Sequence, residues 1–203
     1  IALIRQTLRY DSTYNAQNAA PGSGIQSGKS YSLAALAVCD YLGLDIMKAV
    51  KSLEEFVGMR QKKIKSEKGY LIIDDSYNAS PDSMKAALNV LRDISASGRR
   101  IAVLGDMFEL GTNSKAYHKE VGDYAAKLVS EDGSTVLDEL ITIGGDSEEI
   151  YSSASVNSDI ICHHFTEKNE TISYIKSILK PGDVITFKAS NGMKFWELAE
   201  EIK

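Results

Sequence analysis

The chain has 203 residues, 43% hydrophobic and 25% charged, with a formal net charge of −5, values that suit a globular protein with one full domain and a smaller piece. The acidic balance excludes any overall attraction to nucleic acid or an anionic membrane, which needs clustered Lys and Arg, while leaving room for a small local phosphate site. No apolar run approaches the roughly 18 residues of a membrane span, and the start IALIRQTLRYD lacks the sections of a signal peptide, so a soluble, cytoplasmic protein is expected. The first residue is Ile1 rather than Met, which implies a trimmed or processed chain with sequence upstream. Two cysteines, Cys39 and Cys162, are too few and too unpatterned for a disulfide framework or a zinc site and read as reduced core thiols.

Residues 11–30, DSTYNAQNAAPGSGIQSGKS, have the composition of a loop with nothing to pack against. From Tyr31, LAALAVCDYLGL and DIMKAVKSLEEF carry apolar residues at helical spacing, with Gly43 placed to end one helix and Asp45 to cap the next. The charged stretch RQKKIKSEKG leads to a turn, after which strands and helices alternate. Strands are expected at 70–74, 101–105, 140–144, 159–165 and 183–188. Helices are expected at 82–94, about 114–130, 146–154 and 168–179, with MKFWELAEEIK closing the chain. Short apolar strands separated by helices imply a parallel sheet covered on both faces. The fold class is therefore α/β, a Rossmann-like three-layer domain with a mostly parallel sheet.

In such sheets ligands bind at the carboxyl ends of the strands. Those ends read DDSYNASP at 74–81, GDMFELG at 105–111, GGDSEE at 144–149 and KASNGM at 188–193. The first is the richest: a strand-end carboxylate suits ribose hydroxyls and an aromatic neighbour suits a base, while a helix cap with turn residues accounts for the same letters. His163 and His164 are adjacent in a strand and must face opposite sides, which argues against a shared metal.

DDSYNASPDSMKAAL, then GRRIAVLGDMFELG, then a downstream His118 resemble the C-terminal domain of the Mur ligases, and within that family the branch joining D-alanyl-D-alanine to UDP-N-acetylmuramoyl-tripeptide. The resemblance covers about 31–203 and includes YSLAA, the hinge GMRQ at 58–61, HKEVGDYA at 118–125 and KASNGM. It implies that residues 1–58 end a central ATPase domain, as a helical remnant, and that 59–203 form the C-terminal Rossmann-like domain. It also implies ATP-dependent amide-bond formation through an acyl phosphate in peptidoglycan precursor synthesis, with Mg²⁺ and closure of the C-terminal domain over the nucleotide.

Carried over by position, Arg60 matches the hinge arginine that reaches the ATP phosphates. Asp75 matches the carboxylate that holds the ribose hydroxyls, and Tyr77 and Asn78 match positions close to the nucleotide. Asp74 is less diagnostic, because the family also accepts Asn there. Asp106, Glu109 and His118 either line an interdomain cleft or tie their loop to the following helix. At the last strand end the family's Lys-Gly-Ser-Arg is replaced by Lys188, Ala189, Ser190 and Asn191. Lys188 is a catalytic candidate for binding an incoming carboxylate or a phosphate, with a solvated terminal lysine as the plain alternative.

GSGIQSGKS at 22–30 mimics a phosphate-binding loop, but Ser23 stands where Gly is required and no strand precedes it, so it is rejected. The family's phosphate loop and its magnesium ligands are not among these residues. The chain alone is therefore expected to be inactive, with weak nucleotide binding at most. Two alternatives stay open: another Mur or folate-polyglutamate-type ligase, and a non-catalytic Rossmann-like nucleotide-binding module.

Overall fold

The structure, a computed structural model, describes residues 35–54, 61–156 and 158–203. The polar loop at 11–30, its phosphate-loop mimic and the hinge residue Arg60 lie outside the described residues. The chain divides into two compact units, Ile1–Phe56 and Val57–Lys203. In the first, helix α1 (residues 35–41) turns into α2 (Ile46–Glu54). The turn is built as the residues predict. Gly43 takes the left-handed conformation at φ +68°, where a side chain would clash with its own backbone. Asp45 Oδ1 accepts the N–H groups of Met47 at 3.0 Å and Lys48 at 3.2 Å, capping α2.

The second unit is a six-stranded sheet made of β1 (Lys62–Lys65), β2 (Leu71–Asp74), β3 (Arg100–Gly105), β4 (Glu139–Ile143), β5 (Ile161–Phe165) and β6 (Val184–Lys188). Their spatial order is β1-β2-β6-β3-β4-β5. β1 is antiparallel to β2 and every other pairing is parallel. The helices are α3 (Pro81–Asp93), α4 (Ser114–Ala126), α5 (Glu148–Val156), α6 (Lys168–Ile178) and α7 (Phe195–Glu201). Met84, Leu88 and Leu91 of α3, Val121 of α4 and Ile150 of α5 pack with Ile73, Ala102, Leu104 and Leu140 on one face of the sheet. Ile175 of α6 and Phe195 and Leu198 of α7 pack with Ile72, Ile101, Val103, Ile185 and Phe187 on the other. This is the expected three-layer α/β fold. Each fully buried aliphatic side chain in these layers contributes about 2 kcal/mol of transfer free energy.

Local chemistry explains the boundaries. α3 opens on a capping box, in which Ser80 Oγ accepts Ser83 N–H and Ser83 Oγ accepts Ser80 N–H, with Pro81 in the first turn. The expected helix at 114–130 stops at Ala126. Leu128 instead joins a small turn, where Val136 N–H donates to its carbonyl at 3.1 Å and Val129 bridges Thr135. The strand missed altogether is β1, since KKIK buries only Ile64. One apolar residue in four gives no period, and the lysines belong to an edge that must not pair further.

At the amino ends of the strands, Arg99 donates to Asp183 at 2.7 Å and lies 3.2 Å from Glu139. Tyr174 Oη donates to Glu139 at 2.6 Å. His163 rings with Tyr174 at 4.5 Å, whereas His164 Nδ1 lies 2.8 Å from Thr142 Oγ1 and its ring 5.9 Å from Tyr151. The two histidines thus take opposite faces, as a strand requires. Cys39 and Cys162 are unpaired and half-buried rather than fully in a core, and burial pushes the Cys162 thiol pKa up.

Candidate nucleotide-side rim

The sheet's winding changes face at two strands, the edge strand β5, followed by α6 on the second face, and the central strand β6. β2, β3 and β4 are each followed by a helix on the same face, but β6, which stands between β2 and β3, is followed by α7 on the opposite face. Chains leaving neighbouring strands in opposite directions open a crevice above the sheet, the usual ligand position in parallel α/β folds. The crevice rim consists of the loops after β2, β3, β4 and β6, the four polar strand ends picked out from the sequence.

The loop after β2 places its two carboxylates on different faces. Asp74 is half-buried, and its Oδ1 accepts the N–H of Ser76 at 3.1 Å and the Ser76 hydroxyl. Asp75 is 5% exposed, and its N–H donates to Phe187 C=O at 3.0 Å, extending the parallel ladder by one residue. Its Oδ2 is 2.9 Å from Lys188 Nζ. The same ammonium donates to Asp75 C=O at 3.2 Å and Asn78 C=O at 2.8 Å. Tyr77 stands 45% exposed at the loop's apex, and Asn78 beside it is also exposed, with Oδ1 accepting Ala79 N–H at 2.8 Å.

Lys188 is not the solvated terminal lysine of the plain alternative. It is 2% exposed, buried with a carboxylate as a lysine at that depth must be. The structure thus brings Asp75, Asn78 and Lys188 into one cluster with Tyr77 on its outer side.

The loops after β3, β4 and β6 are interlocked. Ser190 N–H donates to Asp106 C=O at 3.0 Å, and Phe108 N–H returns to Ser190 Oγ at 2.8 Å. The Asp106 carboxylate accepts Ser147 N–H at 2.7 Å and Gly145 N–H at 3.1 Å, tying in the loop before α5. Gly105 is required by this docking, because a Cβ there would sit 2.5 Å from the Phe195 ring and 2.8 Å from Ala189 Cβ. His118 is fully buried. Its Nε2 accepts Met107 N–H at 2.9 Å and its Nδ1 lies 2.8 Å from Ser114 C=O, an arrangement that assigns the proton to Nδ1.

Of the two roles left open for this loop, His118 takes the tying one, whereas Asp106 ties the loop to the one before α5 rather than to the following helix. Glu109 is exposed in left-handed backbone at φ 63°. Asn191, in place of the family's arginine, is exposed at the start of the turn Asn191–Met193. The bridging role of Ser190 was missed, although its survival in the altered Lys-Gly-Ser-Arg pattern was the available signal. No group of three or more His, Cys, Asp or Glu that could hold a metal ion occurs among the described residues.

The family model described as "Mur ligase, glutamate ligase domain" matches residues 59–191, which include the rim loops after β2, β3 and β4 and the start of the loop after β6. The chain belongs to the Mur ligase family. Among curated Mur ligases, UDP-N-acetylmuramoyl-tripeptide--D-alanyl-D-alanine ligase of Bacillus subtilis is 37% identical over 174 residues, covering 84% of this chain and 36% of that protein. A crystal structure of MurF from Acinetobacter baumannii superposes with TM-score 0.72 at 27% identity, over 84% of this chain and 36% of that one. A MurF ligase from Thermotoga maritima in complex with ADP gives 0.61 at 28% identity, over 82% and 35%. The chain spans about a third of the length of the curated Mur ligases it matches. Among the described residues no helix is long and apolar enough to cross a membrane.

Proposed function

We propose that residues 59–203 are the nucleotide-contacting C-terminal domain, and 1–58 the end of the central ATPase domain, of a cytoplasmic ligase that joins D-alanyl-D-alanine to UDP-N-acetylmuramoyl-tripeptide at the expense of ATP. The observation that carries this reading is the rim itself. The sequence segments most characteristic of the family, DDSYNASP and GDMFELG, meet at the central winding switch of the sheet through Lys188, Ser190 and Asp106. The match to the tripeptide-adding branch supports the choice of substrates.

In this reading Asp75 takes the ribose hydroxyls, Tyr77 and Asn78 flank the nucleotide, and Arg60 reaches the phosphates. The exposure of Tyr77 and Asn78 at the loop apex suits those roles. Asp75 is mostly enclosed beside Lys188, so its part is a narrow one: a carboxylate of fixed orientation at the base of the loop. Magnesium would neutralise charge building on the phosphoryl oxygens. Asp74, Asp75 and Asp106 do not fit it, because each is engaged by protein donors; its ligands are assigned to the upstream part of the ligase. This domain's contribution is to bind and orient the nucleotide and to close over it.

The test is phosphate release from ATP by the full-length ligase with UDP-N-acetylmuramoyl-tripeptide, with and without D-alanyl-D-alanine. Release that requires the dipeptide supports the assignment, and release indifferent to it returns the substrate question to the other Mur ligases. Asp75→Ala is expected to raise KM for ATP at least about tenfold while leaving that for the muramyl peptide within about twofold. An equal rise in both contradicts the ribose role.

A further inference from the structure

Lys188 is the last residue of β6, and its side chain is 3% exposed. A buried core ion pair needs only the carboxylate to balance the charge. Here the ammonium also donates to the carbonyls of Asp75 and Asn78, backbone groups of the same loop, which leaves the sheet after Asp74 and enters α3 at Pro81. Three acceptors within four consecutive residues define the path of that loop as a single carboxylate contact would not. The ammonium thus lies on the loop's inner side, away from the exposed Tyr77 at its apex.

We propose that Lys188 is a positioning residue: reaching from β6, it fixes the path of the 75–78 loop and the orientation of the Asp75 carboxylate, and shapes the nucleotide site without touching the nucleotide. The proposal rests on the reading of that loop as the nucleotide site. It replaces the expectation that Lys188 itself takes a carboxylate or phosphate from a substrate. It also gives the last strand a defined task at the site, since β6 is the neighbour of both β2 and β3.

The test is amide hydrogen exchange in this chain together with ADP affinity measured on the full-length ligase carrying the same substitutions. Lys188→Met is expected to speed exchange at Asp75, Ser76 and Ala79 at least about tenfold, with Val103 and Ile141 unchanged, and to weaken ADP by at least about fivefold. Because that variant leaves the Asp75 charge buried alone, the double variant Asp75→Asn with Lys188→Met is measured beside it; replacing a buried pair by neutral groups is often tolerated. Fast loop exchange persisting in the double variant supports the proposal, since the two carbonyls still lack their donor.

Return of the double variant to wild-type exchange would reduce Lys188 to a counter-ion and overturn the proposal. So would weaker ADP binding with an unchanged loop, which would mean direct contact with the nucleotide. An ADP affinity of the full-length ligase that Asp75→Ala leaves unchanged sinks the nucleotide reading alone, and the exchange rates still decide whether Lys188 holds the loop.

Discussion

His118 suspends the backbone of Met107 from α4, its Nε2 accepting the Met107 N–H at 2.9 Å while its Nδ1 faces Ser114 C=O at 2.8 Å. One fully buried ring thus satisfies a donor of the loop and an acceptor of the helix that follows it. His118→Ala should cost about 3 kcal/mol, from an unsatisfied N–H and the cavity left behind. Urea unfolding gives the number, and a loss below about 1 kcal/mol would show that the loop finds another anchor.

The Asp183 carboxylate carries a pH prediction. Burial alone would raise its pKa, but donation from the Arg99 side chain and from the N–H groups of Arg99 and Lys180 holds it below the ordinary carboxylate value. A carboxylate depressed in the folded state stabilises it above the unfolded pKa near 4, and that share is lost as pH falls through the folded value. Asp183→Asn should therefore be less stable by about 2 kcal/mol at pH 7 and show a flatter acid limb below about pH 4. Parallel acid limbs in the two proteins would reject Asp183 as the source.

Tyr174 bears on the opposite limb. Burial and its hydrogen bond to Glu139 push the phenol well above its ordinary value. A raised pKa means stability that is whole below about pH 10 and declines as pH rises toward the folded value. Tyr174→Phe should lose stability at neutral pH and lose less of it on going to alkaline pH than the parent, as thermal melts at pH 8 and pH 11 would show.

Gly105 is where β3 meets the last loop. Gly105→Ala puts a methyl group 2.5 Å from the Phe195 ring, and overpacking of this kind costs about 1 to 3 kcal/mol. The amides of Phe108 and Ser190 should shift most in an NMR comparison, because their mutual docking must open to admit it. Changes confined to α7 would place the strain elsewhere.

Glu109 is held at φ 63° with an exposed side chain. Left-handed backbone costs a side-chain-bearing residue about 1 to 2 kcal/mol, and glycine escapes most of it at some cost in unfolded-chain entropy. Glu109→Gly should leave stability unchanged or raise it by up to about 1 kcal/mol in urea titrations. A clear loss would reveal a contact of the glutamate that outweighs the strain.

What could be read from the residues followed from period and punctuation. α3 was legible from Ser80, Pro81 and the spacing of Met84, Leu88 and Leu91, and β3 from IAVLG between Arg100 and Asp106. β1 was not, because an edge strand with a single buried Ile64 carries no alternation to detect. The family's site vocabulary was visible in DDSYNASP and GDMFELG, but which carboxylate faces which side was not. Asp74 and Asp75 are separated by the pleat, and only the parallel register that sets Asp74 against Phe187 puts Asp75 on the same side as Lys188. The Arg99, Glu139 and Asp183 cluster was likewise illegible, since its members are 40 and 84 positions apart along the chain.

The position of β6 has a further consequence, for the order in which the molecule is made. β2 and β3 are both synthesised long before residues 184–188, yet each pairs with β6 and neither pairs with the other. A nascent chain emerging from the ribosome can join β3, β4 and β5, but the sheet has a vacant centre until its final strand slots in. Those distant pairings make the closing step slow relative to local helix formation. A premature stop before that strand would remove the middle of the sheet rather than an edge, and every rim contact of Lys188 and Ser190 with it.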